Sequence, residues 1–257
     1  MSEWESPGRS LKTIETATTI LDTVQRLEGA KLSEIAVAVD LAESTVHGYL
    51  TTLESLGYLT RNDQGYHIGL EFLNKGGHAR ARTPAYELII PKVDSLASQT
   101  GERIQFIVEE NGYGYYIHVA TGENAILVDA HIGKRVHLHA SSAGKAILST
   151  LPEVRVDAIL DQRGMPSYTP ATITTRADLA DELAAIRERG YSISNEESIS
   201  GLTGIGVPIR SDTRREPIGA ISLSVSPHRL DNDHFEDEIS NTLLRTVNEI
   251  ELDLQYR

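Results

Sequence analysis

Residues 31–57, KLSEIAVAVDLAESTVHGYLTTLESLG, decide how the rest of the chain reads. Two helical periodicities meet there across a very short connection. Leu32, Ile35, Ala36 and Val39 recur at three- and four-residue spacing, and Val46, Leu50 and Leu53 do so again, with Leu56 following. Ser33 suits the N-cap of the first helix, Leu32 and Val37 a staple across it, and Glu34 the positive end of its dipole. Gly57 suits the stop of the second. The solvent side of that second helix reads Ser44, Thr45, His47, Gly48, Thr51, Thr52 and Ser55, short, hydrogen-bonding and almost uncharged. A purely structural surface helix carries more Glu and Lys, whereas one that enters a DNA major groove needs small groups that reach base edges. The pattern predicts a helix-turn-helix, although an ordinary helical hairpin shares its apolar spacing.

The flanks extend the motif. Upstream, residues 11–27 place Ile14, Ala17, Leu21 and Val24 on one stripe, a supporting first helix. Downstream, residues 58–61 and 66–68 are short β-like runs joined by Asn62-Asp63-Gln64-Gly65, a turn composition. Three helices followed by a hairpin make the winged form of the motif. Residues 70–82 start as a helix and are predicted to break at Gly76-Gly77, a place for an interdomain hinge or a surface loop. Thr83-Pro84 fits the start of a helix running to about Thr100, with Leu88, Val93 and Leu96 inward.

Beyond residue 100 the period changes. Residues 103–109 and 113–119 predict strands of a hairpin turned by Glu110-Asn111-Gly112, and 125–130 and 136–139 predict further strands. Helices are expected at 143–149, 153–160 and 176–189. Strands return at 192–193, 205–209 and 218–225, and a long helix closes the chain at 232–254. This is an α+β fold around an antiparallel sheet, a frame suited to a small-molecule pocket. The expected domains are 8–70 for the winged helix-turn-helix, 71–83 for a linker helix or hinge, and 84–257 for an effector-binding domain.

At 257 residues with 40% hydrophobic content the chain has room for two modest cores. No run approaches a membrane span, MSEWESPGRS lacks a signal-peptide apolar region, and there is no cysteine, so a cytoplasmic protein without disulfides is expected. The net charge of −13 is unusual for a nucleic-acid binder. Residues 1–72 carry five basic side chains against eleven acidic ones, a net of −6. Only six of the 24 cations are lysine. Few lysines, many carboxylates and no cysteine fit a salt-adapted cytoplasm, where like-charge repulsion is screened within about 3 Å at 1 M salt; a domain that does not bind nucleic acid is the other reading.

Two loops carry candidate chemistry. In His139-Ala-Ser-Ser-Ala-Gly144-Lys145 a strand runs through small residues into a helix. Its start offers backbone N–H groups and the Ser141 and Ser142 hydroxyls to an anion, or is simply a closely packed strand-to-helix turn. Residues 195–206, NEESISGLTGIG, place three glycines among hydroxyls and carboxylates, a ligand-enclosing loop or a plain connection. Enzyme motifs fail. Gly144-Lys145 ends like a phosphate-binding loop, but the required first glycine falls at His139 and Ala146 replaces Ser/Thr. Ser142-x-x-Lys145 lacks the companion motifs of a serine acyl-transfer site. His118, His131, His137 and His139 lack a Cys or carboxylate at diagnostic spacing, so pocket or sheet histidines are favoured over a metal site. No catalytic residue, metal ligand or cofactor is predicted.

Taken in order, these pieces resemble the IclR family of transcriptional regulators over nearly the full length. The resemblance rests on Ser44–His47, on residues 53–59 (LESLGYL), on Tyr-His-Ile-Gly at 66–69 and on Thr-Gly-Glu at 100–102. It continues through residues 139–146 (HASSAGKA), Gly190-Tyr191, and Glu197, Gly201 and Pro208. It implies a winged helix-turn-helix, a linker helix and a GAF-like effector domain, in homodimers or dimers of dimers on palindromic double-stranded operators near catabolic genes, with an organic acid or sugar derivative as effector. Carried onto this chain, Ser44, Thr45, His47 and Thr51 meet DNA and Arg61 and His67 flank it. Ala140, Ser141, Ser142, Gly144, Lys145, Glu197, Gly201, Thr203, Gly204 and Ile205 line the effector pocket, and Lys145 aids binding of an anion. Two positions depart from the family pattern. Gly48 stands where arginine is common, and Gly204 where cysteine is common, which predicts a larger or differently shaped cavity. An alternative function is a ligand-binding enzyme or sensor whose N-terminal helices mediate protein interaction.

Overall fold

The apolar stripes of residues 31–57 close on each other and on a preceding helix. The computed structural model describes residues 11–126, 128, 130–211, 217–230 and 233–256, the side chains at 230 and 233–235 excepted. The chain divides into two units, Met1–Ala81 and Arg82–Arg257. In the first, α1 (Lys12–Arg26), α2 (Leu32–Val39) and α3 (Glu43–Ser55) surround Ile20, Val24, Ile35, Ala36, Val46, Leu50 and Leu53. Gly57 ends α3 at φ +78, in the left-handed region that glycine adopts freely.

Four local expectations change. The N-cap of α2 is Lys31, whose N–H donates to Glu34 Oε2 at 2.7 Å. Ser33 lies inside the first turn, and Val37 is 83% exposed, so no staple forms. On α1 the buried residues are Ile20, Thr23 and Val24, while Ile14 is 62% exposed, because burial is confined to the helix's second half. The wing pairs β1 (Leu59–Asn62) with β2 (Gly65–Ile68) from Leu59↔Ile68 to Asn62↔Gly65. Gly65, at φ +132, lies where a Cβ would fall 2.3 Å from the Ala30 carbonyl oxygen, which pins the wing to the start of α2. Finally, α4 (Glu71–Ala81) runs unbroken through Gly76 and Gly77. Two glycines weaken a helix by about 1 kcal/mol each without forbidding its backbone hydrogen bonds.

In the second unit α5 (Tyr86–Thr100) leads into β3 (Arg103–Glu110) and β4 (Tyr113–Thr121), joined by a tight turn in which Asn111 and Gly112 both have positive φ. β5 (Arg135–His137) is followed by a single 3-10 turn (Leu138–Ala140) and by α6 (Ser142–Thr150), α7 (Glu153–Arg163) and α8 (Arg176–Arg189). β6 (Ser192–Asn195), β7 (Thr203–Ile209), β8 (Gly219–Val225), the short α9 (Pro227–Leu230) and α10 (Asp233–Gln255) complete it. The sheet runs β5-β4-β3-β8-β7-β6, antiparallel throughout. The strand expected over 125–130 does not form in its described residues. Arg103 turns its guanidinium onto the Val128 and Ala130 carbonyls, which are thereby lost to a strand partner.

Alternation assigns the two faces of this sheet. Ile104, Phe106, Ile205, Val207, Ile221, Leu223 and Val225 join residues of α5 and α10 in one apolar core. On the opposite face α6 packs against β7 and β8, and Ile107 and Ala220 join Ala143, Ala146 and Ile147 in a second core with α7 and α8. That second face also carries Gln105, Ser222 and Ser224, and the glycines Gly204 and Gly206, which let α6 approach.

Candidate functional site

In the first unit, α3 buries Val46, Leu50 and Leu53 and exposes Ser44, Thr45, His47, Gly48, Thr51, Thr52 and Ser55. The exposed hydroxyls are not equivalent. Thr52 donates to the Gly48 carbonyl at 2.9 Å and Ser55 to that of Thr52 at 2.8 Å. Among the described residues, Ser44, Thr45, His47 and Thr51 have no side-chain hydrogen-bond partner. On the wing, Arg61 lays its guanidinium over the Tyr66 ring at 5.2 Å and remains exposed. His67 is half-buried against Gly29, with Nε2 3.1 Å from Asn62 Oδ1. An open cleft of about 370 Å³ lies between the start of α2, Glu43 and the wing; Lys31 and Arg61 face Glu43 and Asp63 there, so it offers no uniform charge.

In the second unit, a cavity of about 30 Å³ lies where the start of α6 meets the sheet. Of the residues expected there, Ser141, Ser142, Thr203 and Gly204 line it. Ser141 is the N-cap of α6 and accepts the Gly144 N–H at 3.1 Å. The N–H groups of Ser142 and Ala143, at the first two helical positions, have no acceptor within a helix. Gly204 does not enlarge the cavity. A Cβ there would fall 2.7 Å from Ser142 Oγ, so the space that a larger side chain would take is already filled by Ser142.

Lys145 does not reach the cavity. It is 1% exposed, and its ammonium donates to Glu197 Oε1 at 2.6 Å, the Ile193 carbonyl at 2.6 Å and Glu182 Oε1 at 3.2 Å. Two carboxylates already engage this ammonium. Burial pushes the Glu197 carboxyl above its usual range, with Lys145 pulling the other way. The Glu197 carbonyl accepts from Thr172 at 2.6 Å, so this residue anchors the front of the 195–206 loop. Ile205 lies in the apolar core on the other face, because alternation along β7 turns it away from α6. Ala140, Gly144 and Gly201 also lie outside the cavity lining; Gly201, at φ +78, lies at the exposed turn of the loop.

The wall is completed by residues that sequence reasoning missed. Gln105 donates from Nε2 to Ser224 Oγ at 3.1 Å and accepts from the Ser222 hydroxyl at 2.8 Å. Tyr116, Ser194, Ser198, Ile107, Ala143 and Leu202 stand beside them. A signal was present: Gln105, Ser222 and Ser224 alternate with Ile104, Phe106, Ile221, Leu223 and Val225 in strands too apolar to face water. The four histidines do not converge. His118 pairs with Asp94 at 2.7 Å and His131 with the Ile132 carbonyl, while His139 faces the Pro166 carbonyl and His137 the Tyr168 hydroxyl. Burial lowers the pKa of both His137 and His139.

Comparison with known proteins accounts for both regions. Residues 13–63 match the IclR helix-turn-helix domain, and residues 79–252 match the bacterial transcriptional regulator IclR C-terminal domain. The chain is 31% identical over 251 residues to the probable HTH-type transcriptional regulator ArcR of Halobacterium salinarum, spanning 96% of this chain and 95% of that protein. The crystal structure of Thermotoga maritima IclR superposes with a TM-score of 0.78 at 29% identity over 95% of this chain and 99% of that one. An IclR homologue from Microbacterium hydrocarbonoxydans, solved with 4-hydroxybenzoate, shares the fold at a TM-score of 0.76 and 24% identity over 95% and 99% of the two chains.

Proposed function

The chain belongs to the IclR family of transcriptional regulators, and on that premise we propose that the exposed face of α3 reads a palindromic operator while the cavity beneath α6 takes the effector. The family function is regulation of transcription through a DNA-binding helix-turn-helix and a ligand-binding C-terminal domain, without enzymatic activity. One observation carries the assignment of the reading face. Among the described residues, Ser44, Thr45, His47 and Thr51 keep their polar groups uncommitted on an exposed helix face, whereas Thr52 and Ser55 spend theirs on the helix backbone. Arg61 on the wing supplies a phosphate contact, and His67 holds the wing turn beside it.

The chain works as a homodimer or a dimer of dimers in the cytoplasm, beside a catabolic operon, with residues 8–70 on DNA, 71–83 as linker and 84–257 as effector domain. Among the described residues no helix is long and apolar enough to cross a membrane, and α4 buries none of its side chains, as a linker helix would. The effector is a small anion met by the N-terminus of α6; the Microbacterium homologue is complexed with a carboxylate, 4-hydroxybenzoate.

Fluorescence anisotropy with a labelled operator tests the reading face. Thr45→Ala with His47→Ala is expected to weaken operator binding at unchanged melting temperature. Equal loss on any duplex would reduce these residues to phosphate contacts, and full affinity would remove α3 from the interface. The acidic first unit adds a salt test. A basic repressor loses affinity with a log–log slope of about −0.9 per phosphate neutralised. With a net of −6 over residues 1–72, a shallow or rising dependence is expected up to a few molar KCl. A steep fall would overturn the salt-adapted reading.

A further inference from the structure

A second cluster of donors lies apart from that cavity, where the β3–β4 turn, β5 and the end of α7 meet. Tyr113 holds two guanidiniums against its ring, Arg135 at 4.3 Å and Arg163 at 4.4 Å from the ring centroid. The two cations are therefore no farther apart than the sum of those distances, and they repel. Each is positioned before any ligand arrives. Arg135 stands opposite Tyr115 in the β4–β5 ladder, and Arg163 donates from Nε to the Asn111 carbonyl at 2.8 Å. Gly112 makes room for Arg163: its φ is +78, and a Cβ there would fall 3.1 Å from Arg163 Cγ. The carboxylates nearest in sequence are engaged by other arginines. Glu109 takes Arg155 and the Gly112 N–H, Glu110 takes Arg82, and Asp161 takes Arg176. Among the described residues, the Arg135 guanidinium and both terminal nitrogens of Arg163 have no hydrogen-bond acceptor. The ring of His137 lies 5.1 Å from that of Tyr113, and burial holds its pKa below the usual range, with both guanidiniums pushing the same way.

We propose that Arg135 and Arg163 form an accessory anion site on the effector unit, and that its ligand is a phosphoryl group, carried by a free phosphate or by a small phosphate ester. This goes beyond the regulator reading and uses none of the residues that line the cavity. A guanidinium presents its N–H groups as a planar fork. A carboxylate has two coplanar oxygens and one charge, enough for one such fork. A phosphoryl group has three oxygens in a tetrahedral arrangement and close to two charges at pH 7, so it meets forks from two directions and neutralises both. The Tyr113 ring already restricts both side chains, which lowers the ordering that binding costs. The net charge of −13 repels anions from the chain as a whole, so attraction here rests on these two side chains.

Calorimetry and thermal unfolding of the full chain, at low ionic strength in a buffer free of phosphate, test this with inorganic phosphate, pyrophosphate, glycerol 3-phosphate and acetate. The phosphoryl ligands are expected to bind at least about tenfold more tightly than acetate and to raise the melting temperature of the effector unit. Arg135→Gln and Arg163→Gln are each expected to weaken them about tenfold or more. Tyr113→Leu keeps both charges but releases both side chains, and is expected to weaken them several-fold. Arg176→Gln removes an arginine already paired with Asp157 and Asp161, and is expected to leave binding unchanged. Tighter binding of glycerol 3-phosphate than of phosphate would support the site and assign it to esters, and the reverse would support it and assign it to the free anion. Equal loss in Arg176→Gln would reduce the effect to net charge and overturn the site, as would binding that survives Arg135→Gln with Arg163→Gln. Acetate binding as tightly as phosphate would overturn the ligand class, and absence of binding by every phosphoryl ligand would overturn the proposal.

Discussion

On the outer face of α3, Ser44, Thr45 and Thr51 stand in water; on the wall of the cavity, Ser142, Ser222 and Ser224 stand between a helix and a sheet, the first two less than a tenth exposed and the third half-buried. The two regions share a composition and differ in consequence. Water satisfies an exposed hydroxyl, so the α3 face contributes little to folding and can be chosen for recognition. A buried hydroxyl needs a partner inside the protein, as Ser222 and Ser224 have in the Gln105 amide, so the cavity wall is part of the packing. Their glycines differ in the same way. A Cβ at Gly206 would fall 2.6 Å from the Ser142 carbonyl carbon, whereas one at Gly48 would meet nothing within 4 Å. Substitution therefore separates the two regions, since in one it changes folding and in the other chiefly binding.

The largest effect belongs beside the cavity. Lys145→Met leaves Glu197 and Glu182 facing an apolar chain, and removing one partner of a buried ion pair costs ~3–5 kcal/mol. Urea unfolding followed by circular dichroism is expected to show that loss, and Glu197→Gln in the same chain to recover most of it. A loss below about 1 kcal/mol, the range of surface pairs, would place the Lys145–Glu197 contact in solvent. Next come the glycines of β7. Gly206→Ala forces backbone apart and is expected to cost ~2–3 kcal/mol, while at Gly204 the obstacle is the Ser142 hydroxyl, which can turn aside for ~1 kcal/mol. Adding Ser142→Ala is expected to relieve Gly204→Ala and not Gly206→Ala.

These contrasts also explain what the sequence made legible. Period and punctuation placed the helix-turn-helix, the wing, the hairpin at Asn111-Gly112 and α8, because burial of a local stripe decides each. They failed where a long-range partner decides. Residues 125–130 have a strand's composition, but Arg103 takes the Val128 and Ala130 carbonyls. The HASSAGK stretch marked one wall of the cavity, since small residues at a helix start are a local signal. Gln105, Tyr116, Ser222 and Ser224 come from strands that pair only in the folded sheet. Lys145 and Ile205 lie off the cavity lining for a related reason: a sequence gives proximity to the cavity and not the direction of the side chain. A buried lysine with a carboxylate 52 residues away cannot be recognised until the loop is folded over it.

Acid sharpens the comparison, since titrating imidazoles are buried in the effector unit. His137 and His139 are held below the usual 6.5 by burial, so the unfolded chain binds protons that the folded one does not. Their contribution to stability is present above the unfolded value and is lost as pH falls through 6.5 toward the folded value. Glu102 and Glu197, raised by burial, act in the opposite sense, losing their contribution as pH rises from 4.5 through their folded values. Scanning wild type and His139→Gln in the same buffers cancels the carboxylates. The effector unit's melting temperature is expected to fall more steeply below pH 6.5 in wild type, and identical slopes would mean that His139 protonates freely in the folded chain.

The smallest expected change in stability belongs to Gly48. Ser44, Gly48, Thr51 and Ser55 follow one another at helical spacing along the exposed stripe, with the glycine at its middle. Its φ is not positive and no neighbour would touch a Cβ, so nothing inside the unit requires a glycine there. A mid-helix glycine costs about 1 kcal/mol relative to alanine. Gly48→Ala is therefore expected to stabilise the first unit by about that amount, seen as a raised melting temperature of its transition. If α3 lies in the major groove, the missing side chain brings its backbone closest to the bases at this point, and an added methyl holds it away. Operator affinity is then expected to fall several-fold in the anisotropy titration while the fold gains stability. A chain both more stable and equally tight on its operator would show that the middle of α3 does not approach DNA, and would leave the reading to Ser44, Thr45 and His47 at the helix's start.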